Sequence, residues 1–274
     1  MSTLCRQSPI NAEIIPEHIR SLILDMDGVL WKGHEPIGDL PAIFRRIRDR
    51  GLRYAFVTNN GTKTPDQYVD RLARFGVETE HRQILTSSIA AARLLKARFP
   101  RGGPVFAVGE IGLMTALREK GFVPLAPEEA EAACAVVMAI DRQINFDKMC
   151  RAALLVGRGL PFYACNPDKS FPTARGRIPG AGAWISVIVV TTGIEPIVAG
   201  KPSPVLIEMA RRRLGTEKQA TLVVGDRLET DIAAGQAAGC PVAQVLSGVS
   251  SREEGRLWLP KIELVAEDLA SLLR

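Results

Sequence analysis

Aromatic residues are scarce in this chain, 5% of its 274 residues, and that scarcity argues against a surface built for stacking bases. Cysteine is scarce as well. Cys5, Cys134, Cys150, Cys165 and Cys240 are dispersed, odd in number and never spaced as C-x-x-C, which argues against a disulfide framework or a thiolate zinc site. Long apolar runs are missing too: the most apolar stretches, 134–140 and 183–190, fall far short of the roughly 18 to 20 residues a helix needs to cross a bilayer. Residues 1–20 contain no apolar signal core. Together these absences lead to the expectation of a cytoplasmic protein with reduced thiols and no membrane partner. Internal repeats and low-complexity segments are also lacking.

What is present suits a packed α/β protein. Hydrophobic residues make up 46% of the chain, enough for one large or two ordinary domains. The net charge of +5 comes from scattered residues. Its densest cluster, Arg211-Arg212-Arg213, ends a helical pattern that leads to Gly215, where cations suit the helix dipole. The charge therefore reads as solubility and attraction for anionic substrates, with no nucleic-acid partner expected.

Apolar runs in this sequence stop abruptly at chemistry. Ser21-Leu22-Ile23-Leu24 runs straight into Asp25-Met26-Asp27-Gly28, and in an α/β sheet the carboxyl end of a strand is where ligands bind. Two carboxylates so placed suit a magnesium ion and covalent phosphoryl transfer; a solvated Asp-x-Asp-Gly turn is the plainer alternative. A second run, 53–57, ends on Thr58-Asn59-Asn60-Gly61-Thr62, whose hydroxyl, amides and N–H groups are donors fit for a phosphate. The plainer alternative there is an Asx turn, with Thr64 capping a helix over 65–75. Gly200-Lys201-Pro202-Ser203-Pro204 puts a lysine just before a helix start, an unfavourable place unless an anion offsets it. Finally, Thr221-Leu222-Val223-Val224 ends on Gly225-Asp226-Arg227-Leu228-Glu229-Thr230-Asp231. Between the second and third of these stretches the strand and helix pattern restarts, with helices over 88–99, 111–120 and 146–156 and strands over 105–108, 134–140 and 161–165. Residues 183–190 stay ambiguous: their β-branched composition favours a strand, while Trp184, Val187 and Ile188 fit one helical face.

These four stretches, in this order, closely resemble the haloacid dehalogenase superfamily phosphatases. The insertion between Thr58 and Lys201, together with Ile84-Leu85-Thr86-Ser87 and Leu246-Ser247-Gly248-Val249, makes the chain similar to the NagD-like or 4-nitrophenylphosphatase-like subgroup. The resemblance runs from Leu22 to Val249. It implies a Rossmann-like doubly wound parallel-sheet α/β core from 1–87 and 193–274, and an inserted α/β cap of the C2 type from 88–192. It also implies a helix over 181–192.

The roles carried by that resemblance follow the motifs. Asp25 would be the nucleophile that forms an aspartyl-phosphate, and Asp27 the acid and then base. Mg2+ would be held by Asp25, Asp226 and the main-chain carbonyl of Asp27. Thr58, Asn59, Asn60 and Lys201 would bind the phosphoryl group, and Asp231 would orient Lys201 or a metal-bound water. In the cap, Asn166, Asp168 and Lys169, with Arg175 nearby, would meet the substrate. The expected partner is a small phosphorylated metabolite, and the cap offers a face for a homodimer. The competing reading is a non-catalytic phosphometabolite-binding protein that keeps the fold.

Overall fold

The structure, a computed structural model, describes residues 14–173 and 176–274; Cys5, the segment before residue 14 and Arg175 lie outside the described residues. The chain opens with β1 (Ser21–Leu24), a small hairpin of β2 (Trp31–Lys32) and β3 (Glu35–Pro36), and then α1 (Leu40–Asp49). β4 (Arg53–Thr58), α2 (Pro65–Arg74), β5 (Ile84–Thr86) and α3 (Ser87–Arg98) follow. The middle holds β6 (Gly103–Val108), α4 (Ile111–Glu119), β7 (Phe122–Leu125), β8 (Val136–Met138), α5 (Phe146–Gly157) and β9 (Phe162–Ala164). It ends in the pair β10 (Ser170–Thr173) and β11 (Gly176–Pro179), then α6 (Ala181–Thr192) and β12 (Ile197–Val198). The last third runs α7 (Val205–Leu214), β13 (Thr221–Gly225), α8 (Ala233–Ala237), β14 (Val242–Val245), α9 (Arg252–Leu257), β15 (Leu264–Ala266) and α10 (Leu269–Leu272).

Two parallel sheets result. The first has the order β15-β14-β13-β1-β4-β5, so the chain builds outward from β1 on one side and then crosses to build outward on the other. That is the doubly wound Rossmann order, and its reversal point lies between β1 and β13. The second sheet, β12-β9-β8-β6-β7, is likewise parallel and reverses beside β6. It takes in Ile197–Val198, beyond residue 192.

The strands read as continuous apolar runs because both faces are covered. Ile23 and Val223 point into one apolar cluster while Leu22, Leu24, Leu222 and Val224 point into another, the alternation a strand dictates. Val105, Ala107 and Val137 of the second sheet join Ile23 in the first cluster, with Ala90, Leu95, Leu113, Leu206 and Ile207 from α3, α4 and α7 between. The two sheets thus share one helical layer as core. The opposite face of the first sheet is covered by α1, α2 and α10, and that of the second by α5 and α6. Among the described residues no helix is long and apolar enough to cross a membrane.

Helix α6 settles the ambiguous stretch. Ala181, Ile185 and Ile188 recur at helical spacing and are buried against α5 and the second sheet, while Val187 and Val190 face outward. A helix costs a β-branched residue a few tenths of a kcal/mol, whereas burying an isoleucine side chain is worth about 2 to 3 kcal/mol, so packing overrides propensity. The two conformations are separable by experiment, because residues 188 and 190 would share a face in a strand. Ile188→Lys should lower unfolding free energy by about 3 kcal/mol or more, and Val190→Lys should change it by about 0.5 kcal/mol or less. Equal losses in urea unfolding would contradict the helix.

Candidate active site

Three neighbouring parallel strands deliver side chains to one rim. Asp25 follows β1, Thr58 ends β4 and Asp226 follows β13, all at the carboxyl ends that flank the reversal point. Asp25 is buried at 7% exposure, Asp226 at 3% and Asp231, on the π-helical turn Leu228–Ile232 after β13, at 3%. One oxygen from each of these three carboxylates lies within 4.8 Å of the others. Lys201, 2% exposed, aims its ammonium into this cluster. Its Nζ donates to Asp25 Oδ1, and to Asp231 Oδ1 at 2.5 Å.

The backbone comes unusually close here. Gly28 sits at φ +88°, and a Cβ on it would fall 2.5 Å from Asp226 Oδ2. A Cβ on Gly200 would fall 2.4 Å from the Cys165 carbonyl oxygen and 2.6 Å from Asn59 Oδ1, so only glycine lets Lys201 be drawn in.

Comparison with known proteins places the chain in a family. Residues 22–123 match a model described as haloacid dehalogenase-like hydrolase, and residues 198–272 match one described as HAD-hydrolase-like. Among solved structures, p-nitrophenyl phosphatase from Archaeoglobus fulgidus has a TM-score of 0.85 at 34% identity, covering 93% of this chain and 98% of that one. NagD from E. coli K-12 has a TM-score of 0.83 at 32% identity, covering 92% and 97%. The 5'-nucleotidase YutF of Bacillus subtilis is 38% identical over 234 residues, 85% of this chain and 90% of that protein. The chain belongs to the haloacid dehalogenase-like hydrolases. Within them it stands in the NagD-like, 4-nitrophenylphosphatase-like group.

In this haloacid dehalogenase-like hydrolase the two asparagines are committed to protein partners. Asn59 Oδ1 accepts from the Lys201 backbone N–H at 2.8 Å, and its Nδ2 donates to the Lys201 carbonyl at 2.9 Å. The side chain thereby pairs with Lys201 as another peptide group would. Asn60 Oδ1 accepts from the Thr62 N–H at 3.1 Å and from its hydroxyl at 2.7 Å, the Asx turn that was the plainer reading. Thr58 Oγ1 accepts from the Asn60 N–H at 3.0 Å and lies beside the Tyr68 hydroxyl. Thr64 caps α2 in a capping box with Gln67, as its position suggested.

Asp27 stands apart from the carboxylate cluster. It is exposed, and its Oδ1 accepts from the Trp31 indole N–H at 2.7 Å. The loop after β9 does reach the first sheet: Asn166 Nδ2 donates to the Asn59 carbonyl at 2.7 Å, and the Asp168 carboxylate accepts from Asn59 Nδ2 at 3.3 Å. Lys169 is exposed, with its carbonyl paired to the Gly180 N–H.

Sequence reasoning missed two supports. Arg227 lies 4.0 Å from Asp168, joining the fourth motif to the cap loop; its place between the acidic residues of that motif was the available signal. Ser247, Val249 and Ser250 form a brace. The Val249 N–H donates to Asp226 Oδ2 at 2.7 Å, the Ser250 N–H to the Asp226 carbonyl at 3.0 Å, and Ser247 Oγ to the Gly28 carbonyl at 2.7 Å.

Electrostatics follow from three acids sharing one ammonium. Burial raises Asp25 well above the ordinary carboxylate range; Lys201 opposes this while Asp231 and Asp226 add to it. Burial, with Asp231 beside it, pushes Asp226 up to about 7. For Lys201 burial alone would lower the value, but Asp231 and Asp25 outweigh it and hold the amine cationic above its usual range. The set carries more negative charge than its one cation balances, and its donors are hard oxygens. Those features fit a divalent cation.

The sign of the resulting pH effect is fixed. Asp226, raised in the fold, binds more protons folded than unfolded between about 4 and about 7, so its contribution to metal-free stability falls as pH climbs through that window. A cation that takes the ionised form must displace the proton. Calorimetric titration with a divalent cation at about pH 6, in two buffers of different ionisation enthalpy, should reveal proton release that shrinks by about pH 8.5. Buffer-independent heats at the lower pH would contradict the charge assignment.

Proposed function

We propose that this haloacid dehalogenase-like hydrolase cleaves small phosphomonoesters in a magnesium-dependent reaction that passes through an aspartyl-phosphate at Asp25. The observation that carries the reading is the meeting of Asp25, Asp226 and Asp231 within 4.8 Å, with the Lys201 ammonium bonded to the first and last. Such a site supplies a carboxylate nucleophile and the charge neutralisation that phosphoryl transfer chiefly requires.

In the proposed sequence Asp25 attacks phosphorus and the ester bond breaks as Asp27 protonates the leaving oxygen. Asp27 then takes a proton from water as the water oxygen attacks phosphorus, and the bond between phosphorus and Asp25 breaks, which releases phosphate and restores the Asp25 carboxylate. Asp25, Asp226 and the main-chain carbonyl of Asp27 would hold Mg2+, which when bound would supply charge neutralisation for the phosphoryl oxygens. Lys201 neutralises Asp25 together with the incoming phosphate, and Asp231 keeps Lys201 aimed. Thr58 offers its hydroxyl to a phosphoryl oxygen. With the Asn59 and Asn60 side chains committed elsewhere, any further phosphate donors from that loop are its backbone amides.

We assign residues 88–192, extended through the strand Ile197–Val198 that completes the second sheet, to a cap over a core formed by the rest of the chain, supported by the bonds that Asn59 makes with Asn166 and Asp168. In that division the loop carrying Asn166, Asp168 and Lys169 selects the leaving group. The outward Val187 and Val190 of α6 support pairing of two copies through the cap. The free thiols at Cys134, Cys150, Cys165 and Cys240 support a cytoplasmic setting, where such metabolites are met.

Hydrolysis of 4-nitrophenyl phosphate should stop in EDTA and return with Mg2+. Asp25→Asn should lose about a thousandfold or more in kcat, and Asp27→Asn about a hundredfold or more with metal affinity kept, since its carbonyl survives. Full turnover in EDTA, or in Asp25→Asn, would refute the reading.

A further inference from the structure

Trp31 is among the largest fully buried side chains of the protein, yet its one polar atom serves an exposed residue. The indole N–H donates to Asp27 Oδ1 at 2.7 Å. A tight loop sets up this meeting: the Trp31 N–H reaches the Met26 carbonyl at 3.3 Å, and the Gly28 N–H reaches the Trp31 carbonyl at 2.8 Å, so residues 27 and 31 lie side by side.

The indole itself is held from α2. The Arg71 guanidinium lies over the ring, 3.9 Å from its centroid, and donates to the Gly33 carbonyl in the β2–β3 turn. Phe75, one turn further along, places its ring 5.9 Å from the indole. Helix α2 is in turn anchored by its capping box and by Tyr68, whose hydroxyl donates to the Asn60 carbonyl at 3.0 Å. A chain of contacts therefore runs from the core through Arg71 and Trp31 to one oxygen of Asp27.

An exposed aspartate left alone moves among staggered rotamers, and only some of them would aim its proton at a leaving oxygen. We propose that Trp31, clamped by Arg71, is a positioning residue that fixes the Asp27 carboxyl for proton delivery. This rests on the reading of Asp27 as general acid. With Oδ1 occupied by the indole N–H, the proton is carried on Oδ2. As the new bond between Asp25 and phosphorus forms, the ester P–O bond breaks and its electron pair stays on the leaving oxygen, which takes the proton from Oδ2.

Leaving-group dependence separates this role from packing. A 4-nitrophenolate departs without protonation, whereas a simple alkoxide does not, so misplacing Asp27 falls hardest on alkyl esters in kcat/KM, the parameter that reports the first step. Trp31→Phe keeps an aromatic ring and removes the donor; it should lower kcat/KM for an alkyl phosphate about tenfold more than for 4-nitrophenyl phosphate. Arg71→Ala, a change at a half-buried side chain that leaves Trp31 in place, should shift the ratio in the same direction by less. Asp27→Asn sets the upper limit, and thermal melts of each variant record folding. If Asp27→Asn discriminates between the esters but Trp31→Phe and Arg71→Ala do not, Trp31 is packing alone and the inference falls. If Asp27→Asn itself lowers both esters equally, the acid role fails and the inference falls with it.

Discussion

Three buried carboxylates share one buried ammonium, and most of the local architecture serves that imbalance. Burying a charge without a partner costs several kcal/mol, so Lys201 has to sit where Asp25 and Asp231 both reach it. Drawing its backbone that close requires Gly200, and holding it there requires the paired bonds from Asn59. Asp226 has no bond to the lysine and is held instead by backbone N–H groups of the loop after β14. Ionised, the three carboxylates leave charge that one ammonium does not balance, a set of hard oxygens that suits a divalent cation.

The fold supplies this constellation from the ends of parallel strands. Two doubly wound sheets share a single layer of helices, and the link from β12 of the second sheet to α7 carries Lys201 back to the reversal point of the first. Asn59 is the junction. It ends the β4 side of the first sheet, grips Lys201, and meets both Asn166 and Asp168 from the second. The loop after β9 is in this way one residue from the lysine that bonds to Asp25.

Much of this was legible from residue order, and the reason is physical. Strands buried on both faces read as unbroken apolar runs, so the carboxyl end of each is marked by the first charged or polar residue, as at Asp25, Thr58 and Asp226. Which side chains meet across the molecule was less legible. The bonds between Asn59 and Lys201 span 142 residues, and nothing local distinguishes an amide that binds phosphate from one that holds a backbone. The same holds for Trp31: nothing in the residues around it marks an indole N–H that ends on Asp27. Short strands such as β7, β14 and β15 escaped notice because three or four residues give too little pattern. The β-rich run in α6 was decided by what it packs against, which only the assembled fold contains.

The central claim is that this excess of negative charge, once balanced by metal, directs a phosphoryl group onto one particular carboxylate. Acid-quenching the enzyme during turnover and reducing it with borohydride converts an acyl phosphate to the corresponding alcohol, which peptide mass spectrometry then locates. The account predicts homoserine at position 25, dependent on both substrate and divalent cation. Reduction at any other carboxylate, or none at all during active turnover, would contradict it.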